Sequence, residues 1–262
     1  ETLRFMPTQY LTESGGEPVL LNLTSVDMEL FLKHYDVTIE EYIDGWKFKG
    51  AVGLFKDYIE FWMAVKETTE GAMRTLAKLM LNSLYGKFGT NPDVTGKHPK
   101  FNDNGTISYA MDRDEDGEII REYRNPVYIP MASFVTAWAR HTTITSCQEN
   151  YERVLYADTD SQHLLGDTEP EGMDVHKSRI GAWKHEGTFR KARFLRPKTY
   201  IEEMQNKKGE WVLHVTCAGM PDNVKKGVTW DNFHNGLELD GKLMPKQFNG
   251  GVVLVETSFK IS

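Results

Sequence analysis

The spacing of apolar and polar positions changes several times along this chain, and each change marks an element. Residues 1–50 carry short apolar groups between turn-forming residues, with Ser14-Gly15-Gly16 reading as a loop, and predict short strands and turns. Within them Val26, Leu30, Phe31 and His34 fall at helical spacing behind Ser25, which is expected to cap that helix. Leu54, Phe55, Tyr58, Ile59 and Trp62 repeat the helical period over residues 53–66. Thr68, Thr69 and Gly71 interrupt it, and a second helix from Glu70 to Phe88 completes a helical hairpin. Residues 89–127 are rich in Gly, Asn, Asp and Pro and predict a hairpin-bearing insertion that includes Thr106–Tyr109. Residues 131–151 read as an amphipathic helix, and Arg153 to Leu165 as strand, tight turn, strand. Further strands are expected over Leu195–Met204, Trp211–Cys217 and Gly251–Val255, and a helix-like piece over Asp231–Gly236. Trp46, Trp62 and Trp138 are expected in the core.

Composition narrows the class. The 262 residues are 40% hydrophobic and 26% charged, which excludes a disordered or fibrous chain. No apolar run approaches the roughly 18 residues of a membrane span, so no membrane partner is expected. The N-terminal Glu1-Thr2-Leu3-Arg4-Phe5 shows no secretory pattern and no initiating Met, so a fragment or processed product is expected. Two cysteines, Cys147 and Cys217, exclude a disulfide framework and fit free thiols in a reducing compartment. The eight histidines show no ligand spacing and read as surface or core residues.

A net charge of −7 argues against a nucleic-acid partner until it is divided by segment. Residues 1–46 hold nine acids and two bases, 102–122 seven acids and two bases, and 147–176 eight acids and one base. Between them, 47–100 hold nine bases and five acids, and 177–200 eight bases and one acid. Such alternation either scatters over a solvated surface or builds a positive channel despite the negative total.

Three constellations carry chemistry. In Lys78-Leu79-Met80-Leu81-Asn82-Ser83-Leu84-Tyr85-Gly86, helical geometry puts Lys78, Asn82 and Tyr85 within about 60° of one another. Met73, Leu76, Met80 and Leu84 take the opposite, buried side. An ammonium suits a phosphate and a phenol ring a base, although a plain surface helix has the same spacing. In Tyr156-Ala157-Asp158-Thr159-Asp160-Ser161, two carboxylates meet at a hairpin turn. Hard divalent cations take such ligands, and Asp-rich surface turns share the pattern. An aspartyl-nucleophile phosphatase would need a helix after the first Asp, and here a second strand follows at once. In Arg196-Pro197-Lys198-Thr199-Tyr200, a Lys and a Tyr two apart on one strand share a face, which suits a phosphate beside a sugar or base.

In this order, Lys-x-x-x-Asn-Ser-x-Tyr-Gly, Tyr-x-Asp-Thr-Asp-Ser and Lys-x-Tyr resemble the motif series of family B DNA polymerases. Asn91-Pro92-Asp93-Val94-Thr95-Gly96, Thr136-Ala137-Trp138-Ala139-Arg140 and Cys217-Ala218-Gly219-Met220 narrow the resemblance to the protein-primed replicative polymerases of small Bacillus-type tailed phages, over essentially the whole chain. The resemblance implies an α+β fold: a palm with an antiparallel sheet, helical-hairpin fingers, two insertions and a small thumb, without the exonuclease domain. It divides the chain into 1–52, the remainder of the insertion that docks the terminal protein; 53–88, fingers; 89–127, the strand-displacement and processivity insertion; 128–217, palm; and 218–262, thumb.

It also implies roles. Asp160 and Asp158 become metal ligands for two Mg2+ ions, with Mn2+ as a substitute. Lys78 contacts the incoming triphosphate and acts as general acid on the leaving pyrophosphate. Lys66 is a second triphosphate lysine. Asn82, Tyr85 and Gly86 line the nucleotide pocket. Lys198 and Tyr200 hold the primer terminus, with Arg196, Thr159 and Ser161 at the DNA. The implied partners are primer-template DNA, dNTPs and a terminal protein primer, and the implied location is the cytoplasm of the infected host cell.

Ala157 and Pro197 depart from the family's usual cysteine and polar residue. No Asp-x-x-Ser-Leu-Tyr-Pro string, which supplies the family's further metal-binding Asp, occurs in the sequence. The expectation is therefore the C-terminal polymerase portion, with little activity alone. The alternatives are one chain of a split polymerase, whose second chain carries the exonuclease and that Asp, and a non-catalytic DNA- or terminal-protein-binding module.

Overall fold

The computed structural model describes residues 13–125, 128–177, 179–248 and 251–261. The strand expectation over residues 1–12 and the insertion's residues 126 and 127 lie outside them. The chain forms two compact units, residues 1–95 with 121–141 and residues 96–120 with 142–262. The content is mixed helix and antiparallel strand, an α+β fold.

The first unit is helical. Helix α1 spans Ser25–His34 and buries Val26 and Leu30. Its cap is Thr24 rather than Ser25: the Thr24 hydroxyl accepts from the Asp27 backbone N–H at 3.1 Å, because Thr24 is the residue still in extended conformation. Asp27 in turn accepts two hydrogen bonds, at 2.9 and 2.8 Å, from the Arg140 guanidinium. Arg140 lies on helix α4, which spans Ile129–Glu149 and whose first part belongs to this unit. The expected strands of residues 13–50 do not form; besides α1, that stretch is irregular.

Helix α2, Lys56–Thr68, and helix α3, Gly71–Phe88, make the expected hairpin. Gly71 adopts φ +58 at the reversal, a conformation open to glycine without a Cβ penalty. The helices are joined by the Tyr58 hydroxyl donating to Met80 O at 3.0 Å, by Phe55 against Phe88, and by Arg74 donating to Lys66 O at 2.6 Å. The buried residue of α3 is Ala77; Met73 and Leu76 remain 49% and 41% exposed, against expectation. Helical spacing identifies which residues share a face but not whether a neighbour covers it. Trp46 and Trp138 are likewise outside the core, at 84% and 55% exposure. Trp46 lies in an irregular stretch, and Trp138 packs on His141.

In the second unit, residues 96–120 contribute β1, His98–Phe101, antiparallel to β2, Ile107–Ala110, around a turn with Gly105 at φ +76. After α4, β3 (Val154–Asp158) and β4 (Ser161–Leu164) form a two-stranded hairpin. Strands β5 (Phe189–Arg196), β6 (Thr199–Gln205) and β7 (Trp211–Cys217) form an antiparallel meander. The strand expected over Leu195–Met204 is therefore two strands. Pro197 has no N–H for a ladder and Lys198 takes φ +58, so the chain reverses there. A short helix α5, Asp222–Lys225, follows, and then a long hairpin of β8 (Glu238–Phe248) and β9 (Gly251–Lys260). The expected apolar strand at 251–255 is the start of β9, and β8 was not foreseen.

The core gathers Ile201 from β6, Cys217 from β7, Met220, Val224, Phe233 and Phe259. Asp231–Gly236 is a set of turns rather than a helix. The Asn232 side chain accepts from Thr229 N at 2.7 Å and donates to Gly227 O at 2.8 Å, giving the backbone a local alternative to helical bonds.

Candidate metal and nucleic-acid site

The β3–β4 register pairs Asp158 with Ser161, leaving Thr159 and Asp160 as a two-residue turn. Thr159 takes φ +54, which is costly for a β-branched residue. Thr159 and Lys198 are the non-glycine residues with positive φ among those described, and both lie in this site. Strained backbone of this kind gathers where function fixes geometry.

Asp158 ends its strand with its carboxylate held by several groups. Lys198 donates to both carboxylate oxygens, at 2.8 and 2.6 Å. The Thr159 hydroxyl donates to Asp158 Oδ1 at 3.0 Å, and the Ser161 hydroxyl to Asp158 O at 3.1 Å. The hydrogen bond from Lys198 holds the Asp158 carboxyl below its ordinary range against the opposing effect of burial, with Thr159 adding to it. The reciprocal bond from Asp158 raises the Lys198 ammonium. Asp160 is exposed in the turn.

Lys198 sits in the β5–β6 turn, not on a strand beside Tyr200 as the sequence suggested. Its backbone N–H donates to the Tyr156 hydroxyl at 2.7 Å. Tyr200 is half-buried, packed against Tyr156, Phe194 and His163 with ring centroids 5.1–5.4 Å away. Burial raises its phenol. Arg196 ends β5, exposed. An open cleft is lined by Asp158, Lys198, His214, Thr216, Ala218 and Lys225.

Beneath this cleft is a group that sequence reasoning passed over. Glu202 on β6 is buried, with His163 Nε2 2.8 Å from Oε1 and His214 Nδ1 3.6 Å from Oε2. Burial pushes its carboxyl up, but the neighbouring imidazoles of His163 and then His214 bring it down to about 2. The sequence signal was a Glu two residues beyond Tyr200 on an otherwise inward-facing strand position.

In the helical unit, Lys78 and Asn82 are exposed on α3, and Tyr85 is 46% exposed, so the polar face read from the sequence is open. A Cβ at Gly86 would meet nothing within 4 Å, so the glycine leaves free space rather than filling a protein contact. Lys66 lies half-buried in the last turn of α2.

The donor set suits a hard cation. Two carboxylates at one turn match magnesium, which takes one or two carboxylates with substrate phosphates completing its shell. Among the described residues no cluster of three or more His, Cys, Asp or Glu is placed to hold a metal, so protein ligands beyond this pair are not supplied by them.

Comparison with known proteins identifies the family. The family model for DNA polymerase type B, organellar and viral, matches residues 3–178. The chain is 48% identical over 272 residues to the DNA polymerase of Bacillus phage Nf, covering 98% of this chain and 46% of that protein. It is 42% identical over 255 residues to the DNA polymerase of Streptococcus phage Cp-1, covering 97% and 43%. A solved structure of phi29 DNA polymerase with primer-template DNA and incoming nucleotide substrates matches with a TM-score of 0.87 at 48% identity, covering 97% of this chain and 46% of that one. The chain thus spans about half the length of the relatives it matches. Motif order, the carboxylate hairpin, the fold and these identities converge, and the chain belongs to the type B DNA polymerases of organelles and viruses.

Proposed function

We propose that this chain is the C-terminal, polymerising portion of a protein-primed replicative DNA polymerase and acts in the cytoplasm of a phage-infected cell. The observation that carries the proposal is the strained Asp158–Thr159–Asp160 turn held against Lys198, in a chain 48% identical to a polymerase solved with primer-template DNA and incoming nucleotide. In this reading 53–88 is the fingers, 128–217 the palm, 218–262 the thumb, and 89–127 the insertion that supports strand displacement. The exposed Tyr42, Ile43 and Trp46 of the first 52 residues offer an apolar surface to a terminal protein primer.

Asp158 and Asp160 would hold Mg2+, or Mn2+ in its place. The ion would lower the pKa of the primer 3′-hydroxyl and neutralise triphosphate charge. The chain's own residues do the rest. Lys198 keeps Asp158 ionised, and with a cation held at Asp158 its ammonium would be available to a phosphate of the primer strand. The half-buried Tyr200 ring presents a fixed edge beside it, with Arg196, Thr159 and Ser161 flanking the DNA. Lys78 would bind the triphosphate and give a proton to the departing pyrophosphate, with Lys66 as a second phosphate contact. Asn82 and Tyr85 line the nucleotide, and Gly86 leaves room for it.

The test is fluorescence anisotropy of a labelled primer-template with the purified chain, with and without Mg2+ and the next complementary dNTP. The proposal predicts tighter binding when the complementary dNTP and Mg2+ are both present, and loss of that increment in Lys78→Ala. Equal binding with a non-complementary dNTP, or an unchanged increment in Lys78→Ala, contradicts it.

A further inference from the structure

We infer that Glu202 and His163 form a positioning pair that holds the carboxylate hairpin in its place on the three-stranded sheet. The inference rests on the metal-site reading above. The β3–β4 hairpin and the β5–β6–β7 meander belong to separate sheets with no shared ladder, so side chains fix one on the other.

On its helix side, the hairpin is held by α4. Gln162 donates to the Ser146 hydroxyl and, at 3.3 Å, to Thr143 O, and the Thr143 hydroxyl donates to Thr159 O at 2.8 Å. On its sheet side the described residues give three polar links: Lys198 with Asp158, Lys198 N–H to the Tyr156 hydroxyl, and His163 with Glu202. The first is the ion pair that a cation at Asp158 would take apart. The second depends on the same turn residue, whose backbone is strained at φ +58.

The third is independent of that turn and buried, with side-chain exposures of 13% for His163 and 4% for Glu202. His163 reaches Glu202 through a cage of Tyr156, Phe194, Tyr200 and Phe189, with ring centroids 5.1–5.8 Å away. Aromatic packing tolerates sliding, whereas a 2.8 Å imidazole–carboxylate contact in such surroundings is sensitive to small displacements. His214 on β7 faces the second carboxylate oxygen, so Glu202 cannot swing to follow a moving hairpin. The pair is therefore a sheet-side link that involves neither Asp158 nor Lys198. It acts through the hairpin.

Replacing a buried ion pair by apolar residues of similar volume tends to preserve stability, which separates positioning from folding. The experiment uses the full chain as His163→Leu/Glu202→Leu, with hydrogen–deuterium exchange by mass spectrometry and Mn2+ titration by electron paramagnetic resonance. The expected result is a parent-like unfolding midpoint, exchange about tenfold faster over residues 154–164 but unchanged over 199–217, and Mn2+ affinity about tenfold weaker. Parent-like exchange over 154–164, or equal loosening of hairpin and sheet, overturns the inference. If the double variant does not fold, Glu202→Gln, which keeps an amide oxygen for His163 but removes the charge, takes its place. A rise over 154–164 larger than that over 199–217 then supports the inference, and an equal rise over both, or parent-like exchange, overturns it. A parent chain that binds no Mn2+ defeats the metal-site reading, while the exchange measurement still decides this one.

Discussion

Glu202→Gln is the substitution whose effect can be worked most directly from the structure. The Glu202 carboxyl stands at about 2 in the folded protein against an ordinary 4.5. At 1.36 kcal/mol per unit, that difference is about 3 kcal/mol of stability carried by the ionised group. Its folded value is depressed, so the contribution is complete above the unfolded value and is lost as pH falls through the folded one. The groups facing it are His163 from β4, His214 from β7, and Tyr200 on its own strand. The assay is urea unfolding, followed by tryptophan fluorescence, of the parent and Glu202→Gln at intervals from pH 6 to pH 2. The parent should be more stable by about 3 kcal/mol at pH 6, and the gap should close progressively below about pH 4.5. A gap that stays constant with pH, or widens as pH falls, would refute the assignment of an ionised, buried Glu202.

Other substitutions test separate parts of the account. Phe233 is fully buried in the core, so Phe233→Ala should cost about 3–5 kcal/mol in urea unfolding at neutral pH. Lys198→Ala should weaken primer-template binding regardless of sequence and lower the slope of log affinity against log salt by about 1. Asn232→Ala removes the side-chain bonds that stop residues 229–236 from winding into helix, and should lower the thermal midpoint by a few degrees, equivalent to about 1 kcal/mol.

The helical hairpin and the carboxylate hairpin were legible because each is a local pattern. Leu54, Phe55, Tyr58, Ile59 and Trp62 repeat at one period, and apolar strands flank Asp158-Thr159-Asp160 at another. Burial was less legible. Met73 and Leu76 share the apolar side of α3 yet stay exposed, since only tertiary packing decides what covers a face. The strand pattern runs unbroken through Pro197-Lys198, although the proline denies a ladder hydrogen bond there. That pattern hides how Lys198 reaches Asp158, a contact across 40 residues of sequence. The position of Glu202 on its strand hints at burial, but its partners His163 and His214 come from two other strands, and nothing in local spacing joins the three.

The central claim is that the Asp158–Asp160 turn serves metal-dependent, template-directed nucleotidyl transfer. Its most direct test is single-nucleotide primer extension in Mg2+ by the chain supplemented with a polypeptide carrying the Asp-x-x-Ser-Leu-Tyr-Pro motif, comparing the parent with Asp160→Asn. The account predicts incorporation of the complementary nucleotide by the parent and none by Asp160→Asn, with primer-template binding retained. Incorporation that survives Asp160→Asn, or that ignores the template base, would contradict it.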